Sequence, residues 1–155
     1  MTRVLFVCLG NACRSPMAEA FAKAYGADVL EAQSAGLAPA LALASRTHAV
    51  MLEKNIDLGD YYPKEMNRIH GSPDSMDLII NMSGYELQLK NPVVVEEWDI
   101  RDPIGESEEV FREVRDELER RVLALIEKLR ASKPVVAKPV TAAKRVDSAS
   151  RPTRQ

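Results

Sequence analysis

Arg3-Val4-Leu5-Phe6-Val7-Cys8-Leu9-Gly10-Asn11-Ala12-Cys13-Arg14-Ser15-Pro16-Met17 is the stretch on which the fold of this chain turns. Its first half is short, β-branched, aromatic and uncharged after Arg3, which predicts a strand buried on both faces. The pattern breaks at Leu9-Gly10-Asn11. A helix is expected next, with Ser15 as N-cap and Pro16 at its first position. Met17, Ala20, Phe21, Ala24 and Tyr25 then recur at helical spacing, and Gly26 closes the run. A strand that runs through a tight loop into a helix is where parallel sheets hold ligands. Successive backbone N–H groups in such a loop can converge on an anion, reinforced by the helix N-terminus. Gly10 and Asn11 are residue types that tolerate left-handed backbone, and Arg14 offers a planar fork matched to two oxygens. Cys8 stands at the mouth of that positive field, where a thiolate is favoured. A thiolate facing an oxyanion cradle suggests nucleophilic attack on phosphorus.

Working outward, Val29–Ser34 reads as a second strand closed by Gly36, followed by a helix from about Ser45 to Asn55. Asp77–Met82 reads as a third buried strand, with a short helical stretch expected around Tyr85–Leu89. Val93–Trp98 is a fourth. Val110, Phe111, Val114, Leu118, Val122, Leu125, Ile126 and Leu129 form the apolar stripe of a final helix. Its other faces carry Glu108–Arg112, Asp116–Arg120 and Glu117–Arg121 at i,i+4. Strands alternating with helices predict a single α/β domain over residues 1–131. The expected architecture is a four-stranded parallel sheet with helices on both faces and a phosphate-binding loop after the first strand.

The chain has 155 residues, 46% hydrophobic and 28% charged, ordinary for a soluble globular protein with a real core. No apolar run approaches the roughly 20 residues of a bilayer crossing, and no secretory signal pattern is visible. The net charge of −2 conceals an asymmetry: residues 132–155 hold six basic residues against Asp147, whereas the first 131 hold 15 basic and 22 acidic. An acidic body with a basic, Pro-, Ala- and Ser-rich tail is not a nucleic-acid-binding domain, and the tail is expected to be disordered. Two cysteines cannot frame a chain of this size, so a reducing cytoplasm is expected. Cys8, Cys13, His48 and His70 lack zinc-ligand spacing, and neither G-x-x-x-x-G-K-[ST] nor G-x-G-x-x-G occurs. No metal or cofactor is expected. His48 is placed on a helix face and His70 in a loop, and Tyr61-Tyr62 is read as a loop anchor, with the wall of a pocket as the alternative.

The run Val7-Cys8-Leu9-Gly10-Asn11-Ala12-Cys13-Arg14-Ser15-Pro16-Met17-Ala18-Glu19 resembles the signature of the low-molecular-weight protein tyrosine phosphatase family, a superfamily shared with the thioredoxin-coupled arsenate reductases. The likeness continues through Ser34-Ala35-Gly36 and Trp98-Asp99-Ile100-Arg101-Asp102-Pro103, over about residues 3–130. It implies that Cys8 is the nucleophile, that Leu9 to Ser15 cradle phosphate, and that Arg14 clamps the charge of the transition state. By the same resemblance Asp102 is the general acid, Asn11 holds the loop's turn, and the Ser15 hydroxyl bonds the Cys8 sulfur. Cys13 matches a second loop cysteine able to protect Cys8 through a reversible disulfide. Asp99 is a rival to Asp102.

Two departures bear on the reaction. Many phosphatases of the family follow Asp-Pro with tyrosines that wall the substrate pocket, and here Ile104-Gly105 follows. The run from Trp98 to Glu119 is closer to the arsenate reductases, which use two further cysteines, the first near the end of the third strand. Here that segment is Asn81-Met82-Ser83-Gly84, and no cysteine follows Cys13. The expected function is metal-free hydrolysis of aryl phosphates, a tyrosine-phosphorylated protein or a small aryl phosphate, through phosphocysteine. The alternative is arsenate reduction with an external thiol donor. No nucleic-acid or membrane partner is expected.

Overall fold

In the computed structural model, which describes residues 1–132, four strands and three α-helices follow one another. They are β1 (Thr2–Cys8), α1 (Arg14–Gly26), β2 (Leu30–Gly36), α2 (Ser45–Leu52), β3 (Leu78–Asn81), β4 (Val95–Glu97) and α3 (Glu108–Ser132). All strand pairings are parallel, in the order β2-β1-β3-β4. β1 is central and pairs from Thr2–Leu30 to Cys8–Gly36 on one side and from Val4–Leu78 to Val7–Asn81 on the other. Its alternation sorts the core. Val4, Phe6 and Cys8 face the layer of α-helices, while Leu5 and Val7 face Ile69, Met76 and Ile79. Helical cover on that second face consists of two 3₁₀ turns, Met66–Arg68 and Pro73–Ser75, with Leu87, Leu89 and Val93 packed beside them.

α3 holds this layer together. Phe111, Val114, Leu118, Val122 and Ile126 are buried, and a Cβ at Gly26 would lie 2.7 Å from Ile126, so the absent side chain sets how closely α1 and α3 approach. Two of the expected i,i+4 pairs form, Glu108–Arg112 and Glu117–Arg121, while Asp116 turns to Arg115 instead. Glu53 receives both Arg112 and Arg115, tying α2 to α3.

Three expectations are corrected. No helix forms at Tyr85–Leu89, because Asn81 and Ser83 capture the local backbone: Asn81 Nδ2 donates to the Tyr85 carbonyl, and the Tyr85 N–H donates to Ser83 Oγ. Such side-chain bonds compete with a helical ladder. Ser15 is not the N-cap, since α1 begins at Arg14 and places Pro16 third, where a missing N–H costs no intrahelical bond. α3 runs to Ser132, one residue past the expected domain boundary; the expected tail otherwise lies outside the described residues. No helix among the described residues is long and apolar enough to cross a membrane.

Candidate active site

β1 delivers Cys8 to the carboxyl end of the central strand, where it is only 2% exposed. The loop beyond it is hung on the segment after β2. The carbonyls of Cys8, Leu9, Gly10 and Ala12 accept N–H bonds from Leu37 (3.1 Å), Ala38 (2.8 Å), Ala40 (2.9 Å) and Ala44 (3.2 Å). The Thr47 hydroxyl adds a bond to Ala12 O at 2.9 Å. In a planar trans peptide the C=O and the next N–H point opposite ways. Turning these carbonyls outward therefore turns the N–H groups of Leu9, Gly10, Asn11 and Cys13 into the loop's interior, the geometry of an anion nest. Only Asn11, at φ 49°, takes the left-handed conformation; Gly10 does not. Gly36 is required from the other side, because a Cβ there would sit 2.8 Å from Leu9 O and 2.9 Å from Asn11 N.

The Ser15 side chain, rather than capping α1, points at the thiol: its Oγ lies 2.9 Å from Cys8 Sγ, and its N–H donates to the same sulfur at 3.5 Å. Asn11 Nδ2 donates to that hydroxyl at 2.8 Å. Arg14 is 6% exposed and held by one end of its guanidinium. Nη1 donates to Met82 O at 2.6 Å and to Ile100 O at 3.2 Å, while Nη2 pairs with Asp102 at 3.3 Å. Nε has no partner, and it is the single buried side-chain nitrogen or oxygen among the described residues in that state. A buried, unsatisfied guanidinium N–H is costly, so this edge is shaped for an incoming anion. Asp102 reaches the same place from the segment after Ile100, its Oδ1 accepting the Ile104 N–H at 3.1 Å. Its rival Asp99 is exposed and does not line the cleft.

The cleft over Cys8 is small, about 170 Å³, and walled by Ala38, Ala40, Asp102 and Ile104; no aromatic ring lines it among the described residues. A larger cleft of about 590 Å³ lies on another flank of α1, between Ala20 and Leu58, but contains neither Cys8, Arg14 nor Asp102. The smaller cleft is therefore the one that gathers the residues expected to do the chemistry. Cys13 is buried and free, like Cys8, and burial outweighs a bond from Thr47 to push its thiol up to about 11. His48 pairs with Asp57 at 3.8 Å, and His70 engages Gln33 through its backbone; neither lines the cleft. No group of three metal-ligating side chains gathers among the described residues.

Several contributors were not singled out from the sequence. Tyr61, expected as a loop anchor or a pocket wall, lines the larger cleft and bonds Asn11 and Ser34 beneath the cradle, and Ser34 in turn bonds Glu19. Ser34 and Glu19 lay inside the quoted resemblance, yet no spacing rule marks a residue that acts through another.

A family model described as low molecular weight phosphotyrosine protein phosphatase matches residues 3–135. The chain is 36% identical to a glutaredoxin arsenate reductase of Synechocystis sp. over 137 residues, covering 83% of this chain and 99% of that protein. It is 34% identical to a protein-arginine-phosphatase of Geobacillus stearothermophilus, covering 82% and 95% respectively. A solved structure of an arsenate reductase in the phosphate binding state superposes with a TM-score of 0.73 at 35% identity, covering 83% of this chain and 99% of that one.

Proposed function

The chain belongs to the low-molecular-weight phosphotyrosine protein phosphatase family, and from that premise we propose that it is an arsenate reductase served by an external thiol. The observation that carries this reading is the small, ring-free cleft set directly over Cys8 and the open edge of Arg14. Such a site suits a free tetrahedral oxyanion better than a bulky aryl ester, and the relatives named as arsenate reductases support the choice. In this reading Arg14 Nε and Nη2 and the loop N–H groups hold arsenate while the Cys8 thiolate attacks arsenic. Asp102 donates a proton to the departing oxygen, which leaves as water. A thiol from outside then attacks the Cys8 sulfur. The S–As pair stays on arsenic, reduced to arsenite, and Cys8 is left in a mixed disulfide that a second thiol resolves. The sequence contains no third cysteine to complete an internal relay, and in this reading both electrons come from the donor. The cycle requires a reducing compartment.

Hydrolysis of phosphomonoesters is the second reading, favoured by Asp102. A carboxyl at the cleft wall can protonate an alkoxide or phenolate and then activate water against phosphocysteine without any donor thiol. The test measures arsenite release with glutathione, with a glutaredoxin system and with a thioredoxin system, beside turnover of p-nitrophenyl phosphate and a phosphotyrosine peptide. Thiol-dependent arsenite, abolished by Cys8→Ser, is expected. Phosphatase turnover without arsenite from any donor would overturn the reductase reading in favour of the hydrolase.

A further inference from the structure

A chain of hydrogen bonds runs from beneath the cradle to the sulfur, and its polarity can be assigned. Asn11 Oδ1 faces two donors, the Tyr61 hydroxyl and the Lys64 N–H, both at 2.9 Å. That fixes the amide orientation, so Nδ2 must donate, and it does so to Ser15 Oγ at 2.8 Å and to Ser34 Oγ at 3.1 Å. Ser15 Oγ thus accepts from Asn11 and has one proton to give. Its near neighbours for that proton are Cys8 Sγ at 2.9 Å and Ala35 O at 3.4 Å, and the sulfur is closer. Ser34 spends its own proton on Glu19 and so does not donate to Tyr61, whose single hydroxyl proton goes to Asn11 Oδ1. Lys64 Nζ approaches the Tyr61 oxygen at 3.4 Å and sits 4.4 Å from the ring centroid, closing the far side.

We propose that Tyr61 is a positioning residue for the Cys8 nucleophile, acting through Asn11 and Ser15. It orders the Asn11 side chain so that the Ser15 hydroxyl donates to sulfur rather than accepting from it. A thiolate receiving that bond is favoured over the thiol, whereas a hydroxyl free to turn toward Ala35 O gives the sulfur nothing. The tyrosine itself remains protonated throughout the working range, because burial raises its hydroxyl well above the ordinary value. The proposal deepens the reading of Cys8 as the nucleophile and rests on it, but it is tested without turnover.

The experiment follows alkylation of Cys8 by iodoacetamide against pH, with the modified peptide resolved by mass spectrometry, in the full chain and in Tyr61→Phe. Phenylalanine keeps the ring and its contact with Lys64 and removes only the hydroxyl. Loss of one orienting hydrogen bond predicts a roughly three- to tenfold slower reaction on the acid limb, with the limb moved to higher pH and little change on the alkaline plateau. Tyr62→Phe, at an exposed neighbour, is expected to leave the profile in place. A Tyr61→Phe profile superimposed on that of the unaltered chain overturns the proposal, as does an equal shift in Tyr62→Phe. Should Tyr61→Phe fail to fold, Tyr61→Met, which likewise lacks the hydroxyl, is read by the same criterion. Failure of arsenite release with the predicted alkylation shift would sink the functional reading and leave this one standing.

Discussion

Replacing Arg14 by lysine keeps the positive charge and removes the fork, so it separates geometry from charge. In the structure one end of the guanidinium is already committed, with Nη1 bridging Met82 O and Ile100 O. Nε is free, and Nη2 is engaged only by a half-exposed Asp102 carboxylate. An oxyanion can therefore take two parallel N–H bonds from an arginine that does not move. A lysine ammonium has no second end: it stays with the two carbonyls or leaves them for the anion. Two charge-assisted bonds at about 1.5–3 kcal/mol each amount to about 3–6 kcal/mol, or roughly two to four decades of affinity. Displacement of Asp102 from Nη2 offsets part of this, which places the expected loss in the lower half of that range. Calorimetric titration with phosphate measures it directly, phosphate protection of Cys8 against alkylation gives an independent value, and the thermal midpoint verifies that the variant is folded. Phosphate affinity within about threefold of the unaltered chain would refute the reasoning, because it would mean that charge alone holds the anion.

Gly36→Ala forces a methyl against backbone at Leu9 and Asn11, whereas Gly26→Ala meets the flexible end of Ile126. The former is expected to weaken phosphate binding at least tenfold and destabilise by about 1–3 kcal/mol, the latter to destabilise only, as titration and denaturant midpoints will show. Peroxide treatment of the unaltered chain should yield a Cys8–Cys13 disulfide, two mass units lighter by about one pair of hydrogens and restored by a thiol. Cys13→Ser should instead progress to irreversible sulfur oxides by mass spectrometry. Hydrogen bonds from Arg112 and then Arg115 hold the exposed Glu53 carboxyl at about 2, below its ordinary value of 4.5. The stability it adds is present in full above the ordinary carboxylate range and lost as pH falls toward the lowered value. Glu53→Gln should therefore flatten the acid decline of the thermal midpoint while leaving phosphate affinity unchanged.

How far the sequence reveals this molecule depends on whether a feature is local. β1, α1 and the loop between them are legible because strand periodicity, glycine and proline chemistry and helical spacing act within a dozen residues. The start of α1 is displaced by one residue because Ser15 has a better partner in Cys8 than in its own helix, a choice visible only once the loop closes. Tyr85–Leu89 reads as helical from its leucines, yet those leucines pack on the second face of the sheet while Asn81 and Ser83 occupy the local backbone. Arg14 was legible, but its orientation was not, since Met82 and Ile100 act through carbonyls that every residue possesses. Tyr61 carries no local signal for the same reason: its role depends on a contact 50 positions away.

The two reactions open to this site share their first half, and the structure explains why kinship alone does not divide them. In either proposed reaction Cys8, Arg14, the turned-in N–H groups and Asp102 would stabilise attack on a tetrahedral oxyanion, and phosphate and arsenate differ little in shape or charge. The division comes when the covalent adduct is broken. In the hydrolase reading water, steered by Asp102, would break a phosphocysteine; in the reductase reading a sulfur nucleophile would break the arsenic adduct, and it would have to reach Cys8 across a narrow cleft. Cys13 is a buried thiol in the lining of that cleft whose proton is held to about 11, so at neutral pH it attacks more slowly than an exposed thiolate. An external donor with a low-pKa thiol does not share that handicap. If the reductase reading holds, arsenite release should therefore scale with the donor's thiolate fraction and survive Cys13→Ser, whereas dependence on Cys13 would show that burial does not silence it.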